Sequence, residues 1–241
     1  MIRDAIEKIL ELSTPHTVES GQIMYCDKKL YTVDQNRGVK PIHTTTLSSI
    51  VDYVREYAEK DGFEKGMFML HIVDHETVRL IDAMNSDNCR ECIIEASAKT
   101  TQFDFGRFMD NERFTIALQA MVKKDPQSDR ELVLKFAGTV TAGTVASYKD
   151  DGVTQKATIK QGVASKTEAV VPSPCRLRPY RTFTEVQQPS SEFIFRMREG
   201  AGGVECALFS ADGGAWKIDA MNSIREFFED TLAGTGVTII M

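Results

Sequence analysis

The chain has 241 residues, of which 42% are hydrophobic and 27% charged, and this composition is typical of a globular protein and excludes a disordered one. The formal net charge of -6 argues against a protein whose main task is to neutralise nucleic-acid phosphates. No apolar run approaches the roughly 18 residues needed to cross a bilayer, and acidic residues stand where a signal peptide has its basic start. Five cysteines without an export signal argue against a disulfide framework, so we expect a cytoplasmic protein.

Apolar spacing in the first half of the chain alternates between the helical and the strand period. The clearest helix follows Thr44, Thr45 and Thr46, which offer N-caps, and its apolar residues form one stripe. The predicted elements are a helix over 2–12, strands over 22–26 and 29–33, a helix over 46–60, strands over 67–73, 77–82 and 91–99, and a helix over 111–123.

After Pro126 the chain changes character, and the second half is expected to be rich in β structure. Asp151-Gly152 stands between two β-prone runs, and such a pair is typical of a hairpin turn because both residues tolerate positive φ. The predicted elements are a strand over 132–136, a hairpin arm over 139–161, strands over 176–183, 193–198 and 206–210, a helix over 216–232 and an edge strand over 236–241.

These elements predict one α+β domain over residues 1–241, with a largely antiparallel sheet, three main helices and a long β-hairpin arm. A subdomain break near 125–129 is the alternative. The arm is rich in Thr, Lys, Gln and Ala and buries little by itself, since an isolated two-stranded ribbon is marginal in water. It therefore lies on the domain's own sheet or reaches another subunit. In the second case the assembly residues are Tyr148, Asp151, Gly152 and Lys156.

A zinc site is the first chemical possibility. Cys89 and Cys92 form the only C-x-x-C pair, and His71 and His75 lie nearby in the sequence. A structural zinc ion needs four ligands. Residues four apart on a strand stand roughly 13 Å apart, so both histidines reach one metal only if the turn after the strand folds back. Independent cysteines are the favoured interpretation, and we expect neither a metal nor a cofactor.

No pattern in the sequence is typical of a catalytic site. Nucleophilic catalysis needs a serine or cysteine beside a base, and four histidines give few bases. The chain has neither a Gly-x-Ser-x-Gly elbow nor a Gly-x-x-x-x-Gly-Lys phosphate loop, and the glycines at 200–203 fit a hairpin turn better than a dinucleotide loop. We therefore expect a protein without enzymatic activity.

Three arginines form the candidate binding site, namely Arg176, Arg178 and Arg181. Alternation along the strand predicted over 176–183 places Arg176 and Arg178 on one face. These side chains are candidate contacts for an anionic partner, and a solvated sheet face is the alternative. Nucleic acid or a nucleotide stays open as that partner.

The run over 177–198 (LRPYRTFTEVQQPSSEFIFRMR) and the run over 211–217 (ADGGAWK), with the helix after it, resemble uncharacterised phage and prophage proteins of the YfdQ-like family. Residues 103–119 and 151–163 resemble the same family, and the resemblance spans about residues 67–232. The family has no motif with an agreed chemical role. The resemblance therefore implies a tailed-phage or prophage gene and assigns no active residue.

Three hypotheses on function follow. The leading one is a non-enzymatic phage protein that assembles into a homo-oligomer, with a closed capsid-like shell as its extreme form; the arm and the apolar tail over 237–241 support it. The second is an accessory binding protein of phage replication, recombination or defence evasion that holds nucleic acid, a nucleotide or a host protein at the arginines. The third is a metal-dependent enzyme around the histidines and cysteines. We expect the protein in the cytoplasm of the infected or lysogenic bacterial host, with no membrane partner.

Overall fold

The computed structural model describes residues 2–20, 23–29, 40–84, 88–142, 144–150, 155–161, 165–170, 172–200 and 202–241. The chain forms two compact units, one over Met1–Gly38 and one over Val39–Met241. Within the described ranges, five α-helices and mostly antiparallel sheets confirm the predicted α+β class.

The first unit contains a helix and a hairpin. Helix α1 (Ile2–Ser13) confirms the helix predicted over 2–12, and none of its side chains is buried. Strands β1 (Thr17–Ser20) and β2 (Ile23–Cys26) pair antiparallel. Of the two strands predicted here, the one over 22–26 is confirmed as β2, whereas the one over 29–33 lies mainly outside the described residues.

The second unit contains a five-stranded sheet made of β3 (Ile42–Thr44), β4 (Met69–Ile72), β5 (Thr77–Ile81), β6 (Cys92–Ser97) and β14 (Thr238–Ile240). The strand order is β14–β4–β5–β6–β3. The three central strands pair antiparallel, and the two edge strands join them in parallel. The edge strand predicted over 236–241 is confirmed, but its apolar side chains Val237 and Ile239 pack on the domain's own core. The tail therefore gives little support to self-assembly.

Two helices cover this sheet. Helix α2 (Ser48–Asp52) continues as a π-helical turn over Tyr53–Tyr57, which confirms most of the helix predicted over 46–60. Helix α5 (Trp216–Thr231) confirms the helix predicted over 216–232. Both helices place one apolar stripe on the sheet, where the fully buried side chains are Ile50, Val54, Leu70, Leu80, Ile224 and Phe228.

The threonine N-caps predicted for α2 are wrong. The N–H groups of Leu47 and Ser48 donate to the carboxylate of Glu185, at 2.7 and 2.9 Å, and the Ser48 hydroxyl bonds to the same group. The hydroxyl of Thr46 instead bonds to Ser49 Oγ at 2.6 Å. A carboxylate is the stronger acceptor for helix N–H groups, so this distant residue takes the place of a local cap.

A second sheet consists of β7 (Met109–Asp110), β11 (Cys175–Leu177), β12 (Ser191–Gly200) and β13 (Gly203–Ser210). The order is β11–β12–β13–β7, all antiparallel. Helices α3 (Asn111–Met121) and α4 (Arg130–Ala142) pack on it, with Phe114 stacked on Phe195 at a centroid distance of 5.3 Å. Asp110 caps α3, since its carboxylate accepts from the Arg113 N–H at 2.8 Å.

Of the strands predicted in the second half, the one over 132–136 is wrong, and the one over 176–183 is too long. Residues 132–136 belong to α4, which buries Val133 and Ala137 four residues apart. A short apolar run satisfies both periods, and here packing against the second sheet selects the helix. The strand predicted over 176–183 ends at Leu177, because the backbone of Arg178 and Tyr180 bonds instead to Lys123 and Met121.

A third sheet lies between α4 and β11 in the sequence. It contains β8 (Thr144–Asp150), β9 (Gln155–Gln161) and β10 (Ser165–Val170), in the antiparallel order β10–β9–β8. The hairpin arm predicted over 139–161 is confirmed from Thr144 onward, whereas residues 139–142 form the end of α4. The third strand was not expected, and its ladder with β9 supplies support that the two-stranded arm lacks.

Candidate functional site

A cavity of about 340 Å³ opens beside the end of β11 and the first turn of α5. Its walls include the predicted Arg176 and Arg178, together with Ser191, Asp212 and Trp216. The chain reaches α5 through Asp212-Gly213-Gly214, and both glycines have positive φ (+62° and +87°), which a tight turn into a helix requires. The fold thus brings together residues up to 40 positions apart.

Arg176 and Arg178 each hold a carboxylate partner. Arg176 is exposed on β11 and contacts Glu192 of the neighbouring strand, with Nη2 at 3.2 Å from Oε1. Arg178 is nearly covered, and its Nε lies 3.1 Å from Asp125 Oδ2. The two side chains share the cavity, as the predicted alternation implies, but each positive charge is already balanced locally.

Arg181 does not share that surface. Only 6% of the residue is exposed, and its guanidinium lies 3.9 Å from the centroid of the Trp216 ring and 5.6 Å from that of Phe193. Its Nη2 donates to Ser191 Oγ, while its Nε has no partner within the described structure. Burial lowers the pKa of Arg181 to about 10, and the nearby Asp212 opposes that shift. Arg181 is therefore a buried cation directly behind two wall residues of the cavity.

A buried glutamine fixes the backbone that carries Arg181. Gln188 Oε1 accepts from the N–H groups of Arg181 and Thr182, at 3.0 and 3.4 Å, and its Nε2 donates to the carbonyl of Phe183 at 2.8 Å. The Thr182 hydroxyl bonds to the carbonyl of His75. Side-chain groups thus replace the sheet ladder where the predicted strand stops, so the arginine is held in one position.

Two further polar atoms around the cavity are buried without a partner in the described residues. Asp212 Oδ1 accepts from the N–H of Gly214 at 3.1 Å, but Oδ2 meets no donor. Ser190 Oγ is in the same situation. His75 packs edge-on against Trp216, with the ring centroids 4.6 Å apart, and burial lowers the pKa of His75. The cavity therefore lies beside a hydroxyl, that of Ser190, and a carboxylate oxygen, Asp212 Oδ2, which have no hydrogen-bond partner among the described residues.

The four candidate zinc ligands do not form a common site. Cys89 is exposed, Cys92 is half-buried on β6, His71 lies on β4 and His75 contacts Trp216. Within the ranges that the structure describes, no three His, Cys, Asp or Glu side chains are placed to hold a metal ion.

Two of the four predicted assembly residues lie in the third sheet. Tyr148 on β8 pairs with Ala157, and Lys156 on β9 pairs with Lys149 and Val170. Asp151 and Gly152 lie outside the described residues.

Sequence reasoning missed Ser191, Asp212 and Trp216 as parts of the cavity.

None of the helices in the described residues is long and apolar enough to span a membrane. Comparisons with protein-family models, with characterised proteins and with solved structures gave no match. The resemblance to the YfdQ-like family therefore stays a prediction.

Proposed function

We propose that this protein is a phage- or prophage-encoded, non-enzymatic protein that assembles with itself in the cytoplasm of the bacterial host. The observation that carries the proposal is the apolar stripe of α1, whose large side chains Ile2, Ile6, Ile9, Leu10 and Leu12 are between 52% and 81% exposed. A helix of 12 residues is marginal in water without a partner for its apolar face. A second copy of the same helix supplies such a partner. The phage origin is supported by the resemblance alone.

The pattern of α1 suits self-pairing. Ile2, Ala5, Ile9 and Leu12 follow one another at intervals of three and four residues, the spacing of a coiled-coil seam. The flanks carry both signs of charge, in the pairs Arg3–Glu7 at 3.1 Å and Lys8–Glu11 at 2.8 Å. Mixed flanks allow two copies to approach without strong repulsion.

The third sheet supports the same proposal. Its outer strands, β8 and β10, each have a ladder partner on one side only among the described strands. Unpaired strand edges are templates for pairing with another chain. The strands are rich in Thr, Lys, Gln and Ala, so main-chain pairing rather than a large apolar surface is the contact they offer.

The test is the mass of the purified full-length protein in solution, measured by light scattering, with negative-stain imaging of the same fraction. We expect an oligomer that dissociates in the double variant Ile6→Glu/Ile9→Glu. Lys124→Glu, which changes the net charge by the same amount at an exposed position outside α1, is the matched control and keeps the oligomer. A wild-type monomer at tens of micromolar would contradict the proposal, and a large uniform particle would support the shell form.

A second variant tests the sheet. Replacing residues 144–170 by a flexible Gly/Ser linker of about twelve residues removes both open edges. If the sheet serves assembly, the oligomer becomes smaller while the rest of the domain stays folded.

The second candidate function is binding of a partner at Arg176, Arg178 and Arg181, as in an accessory protein of phage replication, recombination or defence evasion. The cavity beside these residues favours it. A ligand that still binds to the linker variant, or to the dissociated Ile6→Glu/Ile9→Glu variant, separates this function from assembly.

A further inference from the structure

Two charged residues at the cavity, Asp212 in its wall and Arg181 behind it, each have a polar atom without a hydrogen-bond partner among the described residues, although the two attract each other electrostatically. Arg176 and Arg178 are paired with Glu192 and Asp125. Arg181, behind the wall, makes no ion pair with any described residue, and Asp212 Oδ2 receives no hydrogen bond from one. A buried cation and a buried carboxylate oxygen therefore stand beside one cavity, and neither satisfies the other.

This arrangement is unfavourable for stability alone. Taking a charge out of water costs free energy unless a partner compensates it. The Trp216 ring over Arg181 compensates in part through a cation–π contact, and the Ser191 hydroxyl supplies one hydrogen bond. Two groups that are costly to bury and placed beside one opening are the features of a site arranged for a ligand.

The charge balance indicates what kind of ligand fits. Two arginines line the cavity, Arg176 and Arg178, and Arg181 lies behind its wall. Three carboxylates line the same cavity, those of Glu192, Asp212 and Asp219. The carboxylates repel a ligand that is only an anion, and the arginines repel a ligand that is only a cation. The volume of about 340 Å³ is at the small end for ligand pockets.

We propose that this cavity binds a small zwitterion of the α-amino-acid class, with its carboxylate directed to Arg181 and its ammonium group to Asp212. The first turn of α5 adds a favourable dipole for the carboxylate. This inference rests on the second candidate function and gives its ligand a chemical class. It is independent of self-assembly.

Binding to these groups moves the indole of Trp216. The unpartnered atoms of Arg181 and Asp212 lie beneath the surface, and Trp216 stands in the wall with its ring over the guanidinium. A carboxylate that reaches Arg181 displaces part of that contact. Trp216 is the single tryptophan of the chain, so its fluorescence reports on this site and no other.

The test is a fluorescence titration of the full-length protein with each standard L-amino acid. Acetate and methylammonium, which each carry one half of the zwitterion, are titrated in parallel with inorganic phosphate. We expect a saturable change with at least one amino acid, and binding at least tenfold weaker for acetate, methylammonium and phosphate. Arg181→Met and Asp212→Asn should each weaken binding by about tenfold or more, as loss of a charged hydrogen bond does. Arg198→Met removes an exposed arginine that also lies over an aromatic ring, that of Phe108 at 4.1 Å, and leaves binding unchanged.

The outcomes separate the inference from the function on which it rests. Equal affinity for acetate or phosphate overturns the zwitterion but leaves an anion-binding function at the arginines. No response to any amino acid overturns the inference and leaves the second candidate function to its own test. Binding that persists in Arg181→Met and in Asp212→Asn places the ligand elsewhere and overturns the inference. Asp212→Asn keeps the shape of the side chain, so it provides the test even if Arg181→Met does not fold.

Discussion

The contact between Glu185 and the start of α2 yields a sharp prediction of stability. The carboxylate accepts from two backbone N–H groups and one hydroxyl at Leu47 and Ser48, which lie 138 and 137 positions away in the sequence. It therefore joins the segment after β11 to the first helix of the same unit. Glu185→Ala removes the acceptor and leaves all three donors.

The size of the effect follows from burial. Leu47 is fully buried, so its N–H is left without a partner, which costs about 1–3 kcal/mol. Ser48 is exposed, and water replaces most of what its two donors lose. We expect a loss of about 2–3 kcal/mol in the free energy of unfolding. For a unit of this size, that loss corresponds to a fall of roughly 4–12 °C in Tm. Glu185→Gln keeps one acceptor oxygen without the charge, and about half the loss is expected.

The measurement is urea unfolding followed by the fluorescence of Trp216, with the thermal midpoint as a second observable. Glu229→Ala, at an exposed position of α5, is the matched control and should change stability by less than about 0.5 kcal/mol. A loss below about 0.5 kcal/mol for Glu185→Ala would refute the reasoning, because it would mean that the N–H of Leu47 finds another acceptor at no cost.

Three further predictions concern the core, the cysteines and pH. Phe195→Ala opens a cavity between the second sheet and α3 and should cost about 3–5 kcal/mol in urea unfolding. Burial raises the pKa of Cys175 and Cys206 to about 12, so iodoacetamide at pH 8 should label the exposed Cys26 in the native protein and these two only after denaturation, as read by mass spectrometry. Burial lowers the pKa of His75 in the folded state, so the unfolded chain binds more protons below about pH 6.5 and stability falls as pH drops through that range; His75→Gln should make the fall smaller.

Long periodic elements could be predicted from the sequence. The stripes of α2 and α5 stand out because one face of each helix is buried, and the alternation of β12 stands out because Phe193 and Phe195 point inward while Arg198 points to solvent. Residues 132–136 are predicted as a strand and instead belong to α4, because a five-residue run with four apolar side chains fits either period until its packing partner is known.

The candidate site could be predicted only in part from the residue pattern of a single strand. Alternation along the strand predicted over 176–183 places Arg176 and Arg178 together, and both do line the cavity, although β11 ends at Leu177. Arg181 is predicted on the same strand and is instead buried against Trp216. Arg181 is separated from Arg176 and Arg178 because hydrogen bonds to Gln188 and to the backbone of Met121 end the strand. These are tertiary contacts, and no local sequence pattern predicts them. Asp212 and Trp216 lie in the run over 211–217, whose sequence indicates a family resemblance but no binding role. The fold brings this run next to the arginines.

The pairing of β14 with β4 has a consequence for synthesis on the ribosome. Thr238, at the far end of the chain, pairs with Met69, and α5 supplies Ile224 and Phe228 to the core over the same sheet. The nascent chain therefore carries β4, β5 and β6 without α5 and β14 while about 120 to 140 further residues are made. Ribosomal stalling within α5 would release a chain with an open strand edge and an exposed apolar sheet face, a substrate for chaperones and proteases rather than a partly working protein.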